Sequence, residues 1–225
     1  MDVNWTKNAK YYAHNRILFG QFRNITLSLL IFSLYPFVAF SEGHNTAFND
    51  AVQAVRDKNY GAAYQVFLKL AEESDHDAQY NLALLLRKGL GHPTNYAQSL
   101  KWVWLAQIGG NAKAPKLCEE LLQLVPEDTK ENIRLQVKQV LDTRFSQGEP
   151  EVVLQLAQYH LNIVVEPEYK EAYALRALAA AIGIETALKL RDDIEDELEP
   201  ADLIEAQALA SKLFKERSWG VEASD

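Results

Sequence analysis

A pattern that returns every 35 to 38 residues constrains this chain more than any other feature. The segment "NYGAAYQVFLKLAEESDHDAQYNLALLL" from Asn59 aligns with "NYAQSLKWVWLAQIGGNAKAPKLCEELL" from Asn95, so that Tyr60 and Tyr96 coincide. Counted from that tyrosine, position +15 holds Asp75 and Asn111, +18 holds Ala78 and Ala114, and +22 holds Leu82 and Cys118. A copy from Tyr169 places Ala172 at +3, Ala179 at +10, Ala180 at +11, Gly183 at +14 and Ala187 at +18. A degenerate copy lies between them: from Arg134, Gly148 falls at +14, Val152 at +18 and Leu156 at +22. Units starting near 60, 96, 134 and 169 mean an array of supersecondary modules, each too small to bury its apolar face without a neighbour.

Each module reads as two helices. Ala63, Phe67, Leu70, Ala71 and Ser74 recur at steps of three and four, the stripe of an amphipathic helix. Asp75 is placed to cap a second helix from Ala78 to Leu86. Gly110-Asn111 and Gly183 stand at the same break, where a residue tolerant of positive φ ends the first helix. Gly89 and Gly91, which precede an amphipathic run, raise the possibility of a phosphate loop. No strand stands ahead of them and no Gly-Lys-Ser/Thr follows, so they read as a turn, with Pro93 blocking helical continuation before Asn95 caps the next helix. Residues 42–58 read as a lead-in segment with a helix from Ala47 to Arg56. The array covers 59–217, closed by a helix over 201–216 that starts after Pro200, and 218–225 is a tail. No stretch alternates with period two, so the expected class is all-α.

The stretches "LAEESDHDAQYNLALLLRKGLGHPTNYAQSLKW", Leu70 to Trp102, and "GGNAKA", Gly109 to Ala114, resemble the Sel1-like repeats, relatives of the tetratricopeptide repeats. The family patterns they are similar to are A-E-x-G-x-x-x-A-Q-Y-N-L-G, G-x-G-x-P-x-x-Y-x-x-A-x-x-W and G-N-x-x-A. The resemblance runs from about Phe48 to Phe214 and is weak from Pro126 to Pro150, which leaves unit three open as a true repeat or an irregular insert. Ser74 stands where the family usually has glycine, Ala83 replaces a frequent glycine, and Ser99 and Val137 replace the usual alanine. The resemblance implies a right-handed α-solenoid of about four helix pairs that acts by protein–protein interaction.

Of 23 basic and 31 acidic residues, residues 1–41 hold four and one, which leaves 19 against 30 for residues 42–225. So acidic a surface repels phosphate backbones and excludes nucleic acid as a partner; it favours basic protein partners instead. The basic start leads into "NITLSLLIFSLYPFVAF", Asn24 to Phe40, with Ala39 and Ser41 spaced as at a cleavage site. Residues 1–41 therefore read as a secretory signal, or as a retained anchor that would be the chain's membrane contact. Either reading places the folded part in an extracytoplasmic, for instance periplasmic, compartment. A single cysteine, Cys118, excludes an intrachain disulfide and sits in a core slot. His76, His92 and His160 are isolated and lack metal-ligand spacing, and the acidic run from Arg191 to Glu205 lacks a calcium-loop pattern, so no cofactor or metal is expected.

On the first helix of each unit, positions +5, +9 and +12 point away from the apolar stripe. They are Gln65, Lys69 and Glu72 in unit one, Lys101, Leu105 and Ile108 in unit two, and Ala174, Leu178 and Ala181 in unit four. Apolar residues there, with Trp104 beside them, suit either a recognition groove or packing between repeats. On the groove reading the partner-contacting residues are Gln65, Lys69, Lys101, Trp104, Leu105, Ile108 and Leu178. The expected function is a non-catalytic adaptor or regulator that holds a partner segment on the surface of the first helices. A membrane-tethered component of an envelope assembly and a cell-wall-related hydrolase are the alternatives.

Overall fold

The computed structural model describes the backbone of residues 35–216 and the side chains of residues 44–216. The expected signal over 1–41 and the tail over 218–225 lie outside the described residues, apart from the first turns of α1. The described residues from Ser41 to Glu216 form one compact unit. Among the described residues there are ten α-helices and no strand: α1 Tyr35–Arg56, α2 Tyr60–Glu72, α3 His76–Lys88, α4 Tyr96–Ile108, α5 Ala114–Leu122, α6 Glu127–Ser146, α7 Glu151–Asn162, α8 Tyr169–Ala181, α9 Ala187–Asp192 and α10 Pro200–Lys215. A 3₁₀ turn, Glu195–Glu197, precedes α10.

The helix pairs stand where the sequence period places them. α2–α3, α4–α5, α6–α7 and α8–α9 are the four hairpins, each packed on the next through α3–α4, α6–α7–α4 and α7–α8 contacts. Unit three is thus a true helix pair. Its first helix starts at Glu127, two turns ahead of Arg134, after an extended Pro126; Glu127 and Asp128 in that first turn suit the positive end of the helix. The periodic slots explain the stacking. At +18, Ala78, Ala114, Val152 and Ala187 are all fully buried, and at +22 Leu82, Cys118 and Leu156 follow them into the core. In unit four, +22 is Arg191, so the apolar stripe stops and α9 ends after six residues. α10 then lies along α8 and covers it.

The caps are local and follow from side-chain chemistry. Asn59, Asp75 and Asn95 each accept a hydrogen bond from the backbone N–H three residues on, at 3.4, 2.7 and 3.0 Å. Gly89 ends α3 in the left-handed conformation (φ 68°), and Gly110 and Gly183 turn the chain with φ of 92° and 90°. Gly91 has a second constraint: a Cβ there would lie 2.2 Å from the Tyr60 carbonyl oxygen. The Gly89–Thr94 loop is therefore the turn its sequence predicts, and at Gly91 it lies against the start of α2.

Candidate functional site

α4 is the centre of the compact unit. Ser99, Leu100, Trp102 to Ala106 and Ile108 are all buried, because α3, α5, α6 and α7 pack on it from different sides. Ser99 donates its hydroxyl to the Ala83 carbonyl at 2.7 Å and joins α4 to α3. Lys101, Trp102 and Leu105 form the edge of α4 that meets a cleft of about 540 Å³. Its other walls are Ala71 and Glu72 at the end of α2, Ser74 in the turn, His76 and Gln79 at the start of α3, Gln136, Gln139, Val140, Thr143 and Arg144 on α6, and Gln155 on α7. The first helices of three consecutive units thus converge on one cleft.

A directed chain of hydrogen bonds lines one end of it. Gln79 donates its amide N–H to the Ala71 carbonyl (3.1 Å), so its Oε1 faces His76 Nδ1 (3.0 Å) as an acceptor. Arg144 donates Nη1–H to Gln155 Oε1 (2.7 Å), so Gln155 Nε2 is the donor to His76 Nε2 (3.1 Å). The imidazole is thus engaged on both nitrogens, Nδ1 facing an acceptor and Nε2 a donor. Arg144 closes the chain on the Glu149 carboxylate at 2.8 and 2.7 Å. The His76 ring lies against the backbone of Gly109, where a Cβ would come within 2.1 Å of the ring.

The seven residues expected to contact a partner do not form one surface. Leu178 is fully buried under α10 and lines a different cavity, of about 430 Å³, with Tyr173 and Phe214. Trp104 lies on another side of α4, in a cavity of about 450 Å³ with Cys118 and Arg134. The Arg134 guanidinium sits over its ring at 5.8 Å, fixed there by Glu127, Glu131 and the Ile163 carbonyl. Ile108 is core. The packing alternative accounts for these three: α6, α7 and α10 cover the positions that a lone amphipathic helix would leave to solvent. Gln65 and Lys69 are exposed on α2, Lys69 beside Glu73, and neither borders the cleft. Lys101 and Leu105 do meet there, although Leu105 is only 3% exposed and reaches the cleft by its edge.

Trp102, His76, Gln79, Gln155 and Arg144 were not among the expected site residues. Gln79 and Gln155 carried a signal: each stands at helical spacing from apolar core positions, Gln79 from Leu82 and Ala83, Gln155 from Val152 and Tyr159, and a buried amide demands partners. Burial lowers the Lys101 ammonium below the ordinary lysine range, with the Glu72 carboxylate opposing. Among the described residues, no group of three or more His, Cys, Asp or Glu is placed to hold a metal ion.

By fold the chain is a helical-hairpin repeat protein. No family model matches its sequence, and no curated protein matches it. Among solved structures it is similar to a protective antigen present in uropathogenic Escherichia coli strains and displaying an SLR fold, with 18% sequence identity and a TM-score of 0.35 over 83% of this chain. The chain spans about half the length of that protein, 50% of it being covered. So slight a likeness carries no argument, and the architecture rests on the hairpins themselves.

Proposed function

We propose that this protein is a non-catalytic interaction scaffold that acts outside the cytoplasm and docks a segment of a partner protein in the cleft between α4 and α6. The observation that carries this reading is the cleft's make-up. It combines an apolar floor of Trp102, Leu105 and Val140 with a rim of amides and hydroxyls, on helices from three successive units, the mixture a recognition groove needs. The imidazole supports binding rather than catalysis, since both its nitrogens are committed to side-chain partners and neither is open to take a proton from a substrate. Export is supported by the basic and then apolar N-terminal sequence alone. No described helix is long and apolar enough to cross a membrane.

A photo-crosslinking residue at Gln139, exposed on the rim, tests the docking in living cells, with Glu199 as the control position. One dominant protein adduct at Gln139, absent at Glu199, is the expected result. A folded protein that gives no adduct at Gln139 would overturn the assignment of the cleft. The mature N-terminus, read by mass spectrometry, tests export: Glu42 is expected for a cleaved signal and Met1 for a retained one.

A further inference from the structure

Four described lysines are half-buried: Lys101, Lys130, Lys138 and Lys170. Lys130 pairs with Glu127 at 3.1 Å, Lys138 with Asp142 at 2.6 Å, and Lys170 with Asp202 at 2.9 Å and Glu205 at 2.6 Å. Lys101 differs from them. Among the described residues no carboxylate lies within ion-pair distance of its ammonium and no acceptor bonds to it; its near neighbour is the Trp102 ring, 5.1 Å from Nζ to the centroid. In a chain where carboxylates outnumber cations this is an anomaly, because a partly desolvated ammonium gains from any carboxylate within reach. The other charges of the cleft are already accounted for. Arg144 is held by Glu149 and Gln155, both His76 nitrogens face side-chain partners, and Glu72, exposed to water, acts on Lys101 only through space. With Arg144 answered by Glu149, Lys101 is, among the described residues, the one cation of the cleft left without a contact partner, on a protein of net charge −8.

We propose that the cleft selects an extended, acidic peptide segment, whose carboxylate pairs with Lys101 while a neighbouring apolar side chain rests on Trp102 and Leu105. The proposal rests on the scaffold reading and names the chemistry of the partner at the point of contact. An extended segment is favoured over a helix by the walls. The Ser74 hydroxyl and the Gln139 amide have no hydrogen-bond partner among the described residues, and Gln136 uses its N–H on Asn132 but keeps its Oε1. These groups come from the α2–α3 turn and from α6 and offer both donors and acceptors, which suits a main chain with unpaired N–H and C=O groups; a helix satisfies most of its own. Chain-wide acidity attracts basic surfaces at long range, whereas at contact distance the lone ammonium selects the opposite sign.

The test uses the full chain and three libraries of blocked octapeptides, each with one central position fixed as Glu, Lys or Gln, screened by fluorescence polarisation. Binders are expected to come from the Glu library and to weaken as salt rises. Lys101→Gln should weaken the selected peptide about tenfold or more, Lys101→Arg should largely retain it, and Lys69→Gln, off the cleft, should change nothing. Binders with no preference for Glu, or a selected peptide indifferent to Lys101→Gln, would overturn this inference and leave the scaffold reading standing. No binder in any library, together with no adduct from Gln139, would overturn both.

Discussion

Ser74 holds φ at 68° in the turn between α2 and α3, at the +14 position where the other three units have Gly110, Gly148 and Gly183. A side chain costs about 1 kcal/mol in that conformation, and no described contact of its hydroxyl offsets it. Ser74→Gly should therefore raise the urea midpoint by the equivalent of about 0.5–1 kcal/mol; an unchanged or lower midpoint would mean that the hydroxyl has a structural role. Cys118 fills the +22 slot at 5% exposure, and burial pushes its thiol from 9.0 up to about 11, with a Trp104 hydrogen bond opposing and Glu119 reinforcing. Two consequences follow from that direction. The native thiol should resist iodoacetamide at pH 8 until the protein is unfolded. Because the folded state keeps a proton that the unfolded state releases, stability should fall as pH climbs from 9 towards 11, by about 1.4 kcal/mol per unit at most, and Cys118→Ala should flatten that slope. Arg176 is a stranger residue to find in a core slot. It takes position +7, where the other units have Phe67, Val103 and Leu141, donates Nη1–H to the Leu190 carbonyl, and leaves Nε without a partner.

α4 shows how an element's surroundings override its own pattern. From sequence, its +9 and +12 positions belong to the side opposite the stripe, yet Leu105 and Ile108 are buried because α6 and α7 close over them. α8 repeats the lesson, since α10 covers Leu178. Leu178→Ala should cost about 3 kcal/mol in chemical denaturation; a change below 1 kcal/mol would mean that the side chain is not core. The contact between α4's C-terminus and α3's N-terminus is as specific. Gly109 has φ of −80°, so alanine fits its backbone, and the atoms nearest an added Cβ are those of the His76 ring, at 2.1 Å. Gly109→Ala should destabilise by about 1–3 kcal/mol, and much less in a His76→Ala background. Additive costs in that double-mutant cycle would show that the ring does not depend on this glycine. The caps, by contrast, were legible in advance: Asp75, Asn95, Gly89, Gly110 and Gly183 act within four or five residues of themselves, where side-chain chemistry alone suffices.

Across the whole protein, the hairpins form a series in which inner helices have neighbours on several sides and outer ones on few. α10 packs chiefly on α8, and of its side chains Ala206 alone is buried. Native-state hydrogen exchange should find α10 opening at a far lower free energy than α4; equal protection would mean that the array unfolds as one cooperative block. The 35- to 38-residue period, the two helices per period and the turns between them were all legible in the amino-acid order, because a helix, its cap and its terminating glycine depend on residues a few positions apart. The placement of +22 in the core was legible for the same reason. What the order of residues left open was which outward face would meet water. That depends on α6 and α10, whose residues lie some 30 positions from the faces they cover. The relay from Gln79 through His76 to Gln155 and Arg144 joins residues up to 79 positions apart, and Lys101 is singular only because its neighbours in space fail to pair it. Contacts of that range are set by packing, and no local pattern in the chain encodes them.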